Sequence, residues 1–130
     1  MSALELAQPL AVALDELNRD FGSLHAEPDG SGGVVVTVGS VEAGERWRPI
    51  VVPIEFQLLY NYPFAAIYPY YTTIELQRVD GEPWPPALQR VEWRGRQMVQ
   101  ISLRSTRWQP GIETASSSLA QVRHWLHNPT

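Results

Sequence analysis

Few side chains in this sequence could do covalent or metal chemistry. There is no cysteine, so disulfides, thiolate metal sites and thiol catalysis are excluded. His124 and His127 lie three apart at helical spacing and could share a metal, with His25 distant in the chain. Two imidazoles do not complete a zinc site, so they read as a solvated helix end and no metal or other cofactor is expected. Ser116, Ser117 and Ser118 lack a Gly-x-Ser-x-Gly elbow and a readable base. They are expected to hydrogen-bond in the first turn of a helix. Ser102 and Ser105 could carry an oxyester, but an unactivated hydroxyl is a poor nucleophile.

The basic residues point to recognition rather than reaction. All ten are arginine, which cannot provide the amine of an isopeptide bond or a Schiff base. Arg90, Arg94, Arg96, Arg104 and Arg107 cluster, with Glu92 the one acid within that segment and Trp93 and Trp108 beside them. Arginine and tryptophan are typical interface anchors; the alternative is a solvated hairpin face. A net charge of −4 and the lack of a basic tail argue against nucleic-acid binding. The apolar runs are too short to span a bilayer and no leader pattern opens the sequence, so a cytoplasmic protein without membrane contact is expected.

These residues must be positioned by elements that the periodicity outlines. Leu6, Leu10, Leu14, Leu17 and Phe21 predict an amphipathic helix over 2–21, with Pro9 marking either a kink or a first turn near Gln8, and Gly22 as its stop. Residues 27–33 read as a loop, 34–38 as a strand, and 42–47 as a polar turn. A second strand runs over about 50–59, with Val52, Ile54, Phe56 and Leu58 on one side. Pro53 implies an exposed edge or a bulge there. A third strand covers roughly 70–76, and 80–90 is irregular. Residues 91–93 and 97–103 suggest a hairpin around Gly95. Thr114 is the expected N-cap of a closing helix over 115–126, with Leu119, Val122 and Leu126 as its buried stripe. The expected fold class is α+β: an N-terminal helix, an antiparallel meander of three to four strands and a C-terminal helix, as one domain over residues 1–130.

Two motifs narrow this plan. Tyr62-Pro63-Phe64 closes the long alternating strand, and Trp108-x-Pro110 lies between a short apolar strand and the final helix. Their order resembles the core of the ubiquitin-conjugating enzyme family, in which a Tyr-Pro-Phe turn, a catalytic cysteine and a Trp-x-Pro turn succeed one another. The resemblance covers about the whole of this chain but only the core of that family. It implies structural roles for Pro63, Trp108 and Pro110.

The nucleophile of that family is missing. Val99, Ile101 and Leu103 share one strand face, leaving Met98, Gln100 and Ser102 opposite. Counting back from Trp108 puts Gln100 at the family's cysteine position; a slip of one or two residues gives Val99 or Met98. The family's upstream His-Pro-Asn segment, whose amide serves the oxyanion, is also absent: Trp84-Pro85-Pro86 stands in the comparable region. The chain is thus similar to the non-catalytic variants of the family, a bacterial-type pseudoenzyme with no catalytic residue. That likeness implies a binding module for a ubiquitin-like protein or an adenylating enzyme. The alternatives are an active conjugating enzyme whose cysteine has been replaced, and an adaptor or chaperone on a similar fold without a ubiquitin link. Candidate contact residues are Arg94, Arg96, Arg104, Arg107 and Trp93. Tyr62, Phe64 and Tyr68 join them through the docking surface that the resemblance implies. The sequence leaves the oligomeric state open.

Overall fold

The computed structural model describes residues 7–103 and 108–130. Its elements are α1 (Gln8–Phe21), β1 (Leu24–Pro28), β2 (Val34–Glu42), β3 (Trp47–Arg48), β4 (Val51–Leu58), β5 (Tyr70–Thr72), β6 (Gln77–Arg78), β7 (Leu88–Trp93), β8 (Arg96–Ile101) and α2 (Ala115–His127). The fold is α+β, with a helix at each end and antiparallel strands between. There are more strands than the expected three to four: a six-stranded sheet ordered β1-β2-β4-β5-β8-β7 and a two-stranded sheet of β3 and β6. No helix among the described residues is long and apolar enough to cross a membrane.

Pro9 sits in the first turn of α1, where its missing N–H is no loss. The helix therefore starts at Gln8, and residues 2–6 of the expected helix lie outside the described residues. Gly22 follows at φ 69°, donating its N–H to the Asn18 carbonyl. Leu10, Ala13 and Leu17 bury one face of α1, and Leu119, Val122 and Leu126 one face of α2. Both faces join one hydrophobic cluster with Val34, Val36, Ile54, Phe56, Tyr70 and Val99 from the inner side of the sheet.

Several boundaries differ from expectation. Glu27 and Pro28 belong to β1, which pairs with β2 along its whole length, so the loop is confined to 29–33. Strand β1 alternates weakly and was hidden by the turn residues beside it. The expected polar turn over 42–47 ends in Trp47, which is fully buried and begins β3. Strand β5 stops at Thr72, and the chain then turns away to form β6. Strand β7 starts at Leu88 rather than Val91, which shortens the irregular stretch. Pro53 does mark a bulge: the β2–β4 register shifts between Val38 and Val41, opposite the proline that cannot donate to the ladder. It is not on an edge, since β4 lies between β2 and β5.

The β1–β2 turn is held by Asp29. Its carboxylate accepts the N–H groups of Ser31 (2.7 Å) and Gly33 (3.0 Å) and the Gln57 amide (2.8 Å). Partial burial pushes the Asp29 pKa up, but these donors outweigh it and the net shift is downward. A folded-state pKa below the unfolded one gives stability that is complete above the unfolded value and is lost as pH falls through the folded value. Asp29→Ala is therefore expected to destabilise at about pH 7, with the gap to wild type closing below the usual aspartate pKa of about 3.9. Urea unfolding of both proteins across that range measures it.

Candidate functional site

The two sequence motifs meet in space, although 45 residues of chain separate their bonded members. Trp108 donates its indole N–H to the Pro63 carbonyl at 2.6 Å, and its ring meets Tyr62 edge-on at 6.3 Å between centroids. The Tyr62–Pro63 peptide is cis. Tyr62 is 8% exposed, so it is an internal residue. Its hydroxyl accepts the N–H of Ala115 at 2.9 Å, and burial raises its pKa. Ala115 is the first residue of α2, whose leading N–H groups lack partners within the helix. Thr114 and Ser117 complete the start with a reciprocal capping box, as the expected N-cap foresaw. Pro110 makes an isolated bridge to Glu113 in the turn just before.

This lock leaves apolar side chains outside it. Phe64 is 75% exposed, directly after the cis proline. Ile112, on the turn that follows Trp108, is 73% exposed, and Tyr60 is 69% exposed. Leu59 and Tyr68 are also exposed. Sequence reasoning named Phe64 and Tyr68 but missed Leu59, Tyr60 and Ile112. A usable signal was present: no charged residue occurs from Phe56 to Ile74. A buried strand alone would not need so long an uncharged stretch beyond its end at Leu58.

Trp108→Phe keeps a ring in place but removes the indole donor to Pro63. We expect a loss of about 1 kcal/mol, read by denaturant unfolding, with a larger change in the mobility of the Phe64 turn, read by amide exchange.

The arginine cluster takes a different form. Strands β7 and β8 form a hairpin closed by Arg94 and Gly95, both at positive φ (53° and 78°). Its end lies across the sheet face that points away from the helices. Arg94 pairs with Glu27 on β1, and Arg96 donates to both carboxylate oxygens of Glu55 on β4 at 2.7 and 2.8 Å. Trp93 stacks on Tyr71 with centroids 4.0 Å apart and planes 9° from parallel. Sequence reading saw Glu92 as the opposing acid, but the acids that meet Arg94 and Arg96 come from distant strands. Arg104 and Arg107 lie outside the described residues.

Gln100 lies on this outer face, opposite Tyr71 on β5 and Gln89 on β7. Its amide nitrogen donates to Ser102 Oγ at 3.0 Å. Val99 and Ile101 point into the core as the alternation required, while Met98 on the outer face is buried as well. The serines of α2 make local contacts: Ser116 bonds Asp20, Ser117 caps the helix, and Ser118 bonds Tyr70. The histidines assemble no group of three metal-capable side chains among the described residues.

The geometry thus consists of a two-motif turn tied by the Trp108–Pro63 and Tyr62–Ala115 hydrogen bonds, with exposed apolar side chains on the same segments. A family model described as Prokaryotic E2 family E matches residues 14–129, which include both motifs and Gln100. Neither a curated protein nor a solved structure matches the chain at a significant level.

Proposed function

The chain belongs to prokaryotic E2 family E, and on that premise we propose that it serves a bacterial ubiquitin-like modification pathway by binding, without forming a thioester. Membership in an E2-like family implies protein partners in such a pathway. The proposed partner is a ubiquitin-like protein or its adenylating enzyme. The observation that carries the reading is the pairing of a missing thiol with a fully built frame. Trp108, Pro63, Tyr62 and Ala115 hold the motif turn in one shape, while the chain holds no cysteine.

The proposed contact residues are Phe64, Tyr60, Tyr68 and Ile112, all exposed on or beside the two motif segments. Side chains carried on a turn whose backbone is already held require less ordering on binding, so burying them favours affinity. Tyr62 acts in this reading as a support, not a contact. Arg94 is held by Glu27 and Arg96 by Glu55, which makes them organisers of the hairpin. Arg104 and Arg107 are kept as contacts for acidic groups on the partner, and Trp93 is kept as a contact as well.

Affinity capture from the native host with the tagged wild type tests this. Recovery of a ubiquitin-like protein or an adenylating enzyme is expected. Recovery of neither contradicts the reading.

A further inference from the structure

We infer that the free edge of β7 pairs antiparallel with the same edge of a second copy of this chain, in the register centred on Val91, joining two six-stranded sheets into one. This does not rest on the conjugation reading.

Strand β7 is the last strand of its sheet. The two-residue turn at Arg94 and Gly95 makes Trp93 and Arg96 a hydrogen-bonded pair, and such pairs then alternate down the hairpin. Gln89, Val91 and Trp93 therefore bond to β8, whereas Arg90 and Glu92 aim their N–H and C=O groups at the open side. The Ser102 N–H donates to the Ala87 carbonyl at 2.8 Å, and the Leu88 N–H turns instead to Pro85, both in keeping with this alternation. No proline interrupts the strand, and no main-chain partner for Arg90 or Glu92 occurs outside the strands among the described residues. At the opposite edge, β1 ends in Pro28, which has no N–H to offer.

Charge selects the partner and the register. Arg90 and Glu92 are exposed and make no ion pair among the described residues. Centred on Val91, an antiparallel copy sets Arg90 opposite Glu92 twice over. These are the two residues whose main-chain groups face outward, so each pair exchanges backbone bonds and opposite charges together. The neighbouring registers fail. One places Arg90 opposite Arg90; the other places Glu92 opposite Glu92 and Arg90 opposite Arg94. A strand that is self-complementary about one of its residues, here Val91, fits a two-fold contact between identical chains. The edge is six residues long, so the contact falls below the roughly 1,200 Å² of a standard stable interface, and a concentration-dependent dimer is expected.

Sedimentation velocity over a concentration series tests this with four proteins: wild type, Arg90→Glu, Glu92→Arg and the double exchange. The wild type is expected to shift from monomer towards dimer as concentration rises. Each single variant, which opposes like charges, is expected to weaken association about tenfold or more, and the double exchange to restore it. Circular dichroism checks that all four are folded; both positions are exposed, and the restoring variant guards against a folding artefact. A wild type that stays monomeric overturns the inference. So do single variants that associate as the wild type does, or a double exchange that stays monomeric. Protection of the β7 amides only when a conjugation partner is added, with the chain alone monomeric, would give the edge to that partner and also overturn it.

Discussion

Phe64→Asp is expected to weaken binding of the conjugation partner about 30-fold while leaving the fold almost untouched. The side chain is 75% exposed, so its removal opens no cavity. Surface changes of this kind usually stay within about 0.5 kcal/mol in stability. Its backbone is nevertheless held, because Trp108 hydrogen-bonds the Pro63 carbonyl and the Phe64 N–H donates to the Asn61 carbonyl. An anchor of this type is worth about 2 kcal/mol or more at an interface, which corresponds to the stated change in affinity. A carboxylate at this position adds a desolvation cost to any partner that covers it. Isothermal titration with the captured partner, together with denaturant unfolding of the same variant, separates lost contact from lost fold. Unchanged affinity would move the contact surface away from this turn.

Trp47→Ala is expected to remove about 3–5 kcal/mol of folding stability, a large part of the roughly 5–15 kcal/mol that a domain possesses. Trp47 is fully buried, and its indole N–H donates to the Leu126 carbonyl at 2.7 Å. That carbonyl lies in the last turn of α2, where carbonyls lack intrahelical donors. Arg46 donates to the next carbonyl, His127, at 3.0 Å. Gly44, at φ 99°, leaves room for the His127 ring, which a Cβ would approach to 3.0 Å. The β3 strand thus fastens the C-terminal end of α2, as Tyr62 fastens its N-terminal end. Trp47→Phe keeps most of the volume and loses the donor, so it is expected to cost less than half as much. Urea unfolding of the pair checks both magnitudes, and equal losses would mean that the hydrogen bond dominates over the packed volume.

How far the sequence carried this picture depended on the kind of signal. Strand β4 and helix α2 are readable because their apolar periods are regular and proline or threonine signals stand near their ends. The hairpin was readable from Gly95. Strand β1 was not, because it alternates weakly and ends in a turn-like Glu-Pro-Asp-Gly run. Trp47 reads as part of a polar turn because its neighbours Glu45, Arg46 and Arg48 are charged. Only the tertiary contact with α2 explains why a tryptophan stands there. The motifs at Tyr62 and Trp108 were visible as motifs, but their direct bond spans the chain and no local pattern encodes it. The same holds for Arg94 and Arg96, whose acidic partners on β1 and β4 lie 67 and 41 residues away. Tyr62 illustrates the limit most clearly: an aromatic in a turn reads as a surface contact until the helix that it caps is in place.

The central claim is that this E2-like chain works by binding and carries no acyl group. The most direct test incubates it with a purified ubiquitin-like protein of its host, the cognate adenylating enzyme and ATP, and follows intact mass under non-reducing conditions alongside non-covalent binding. The wild type is expected to bind one of these components and to gain no covalent mass. Gln100→Cys is expected to gain a thiol-sensitive adduct of the ubiquitin-like protein. A covalent adduct on the wild type, or a wild type that binds neither component, would contradict the account.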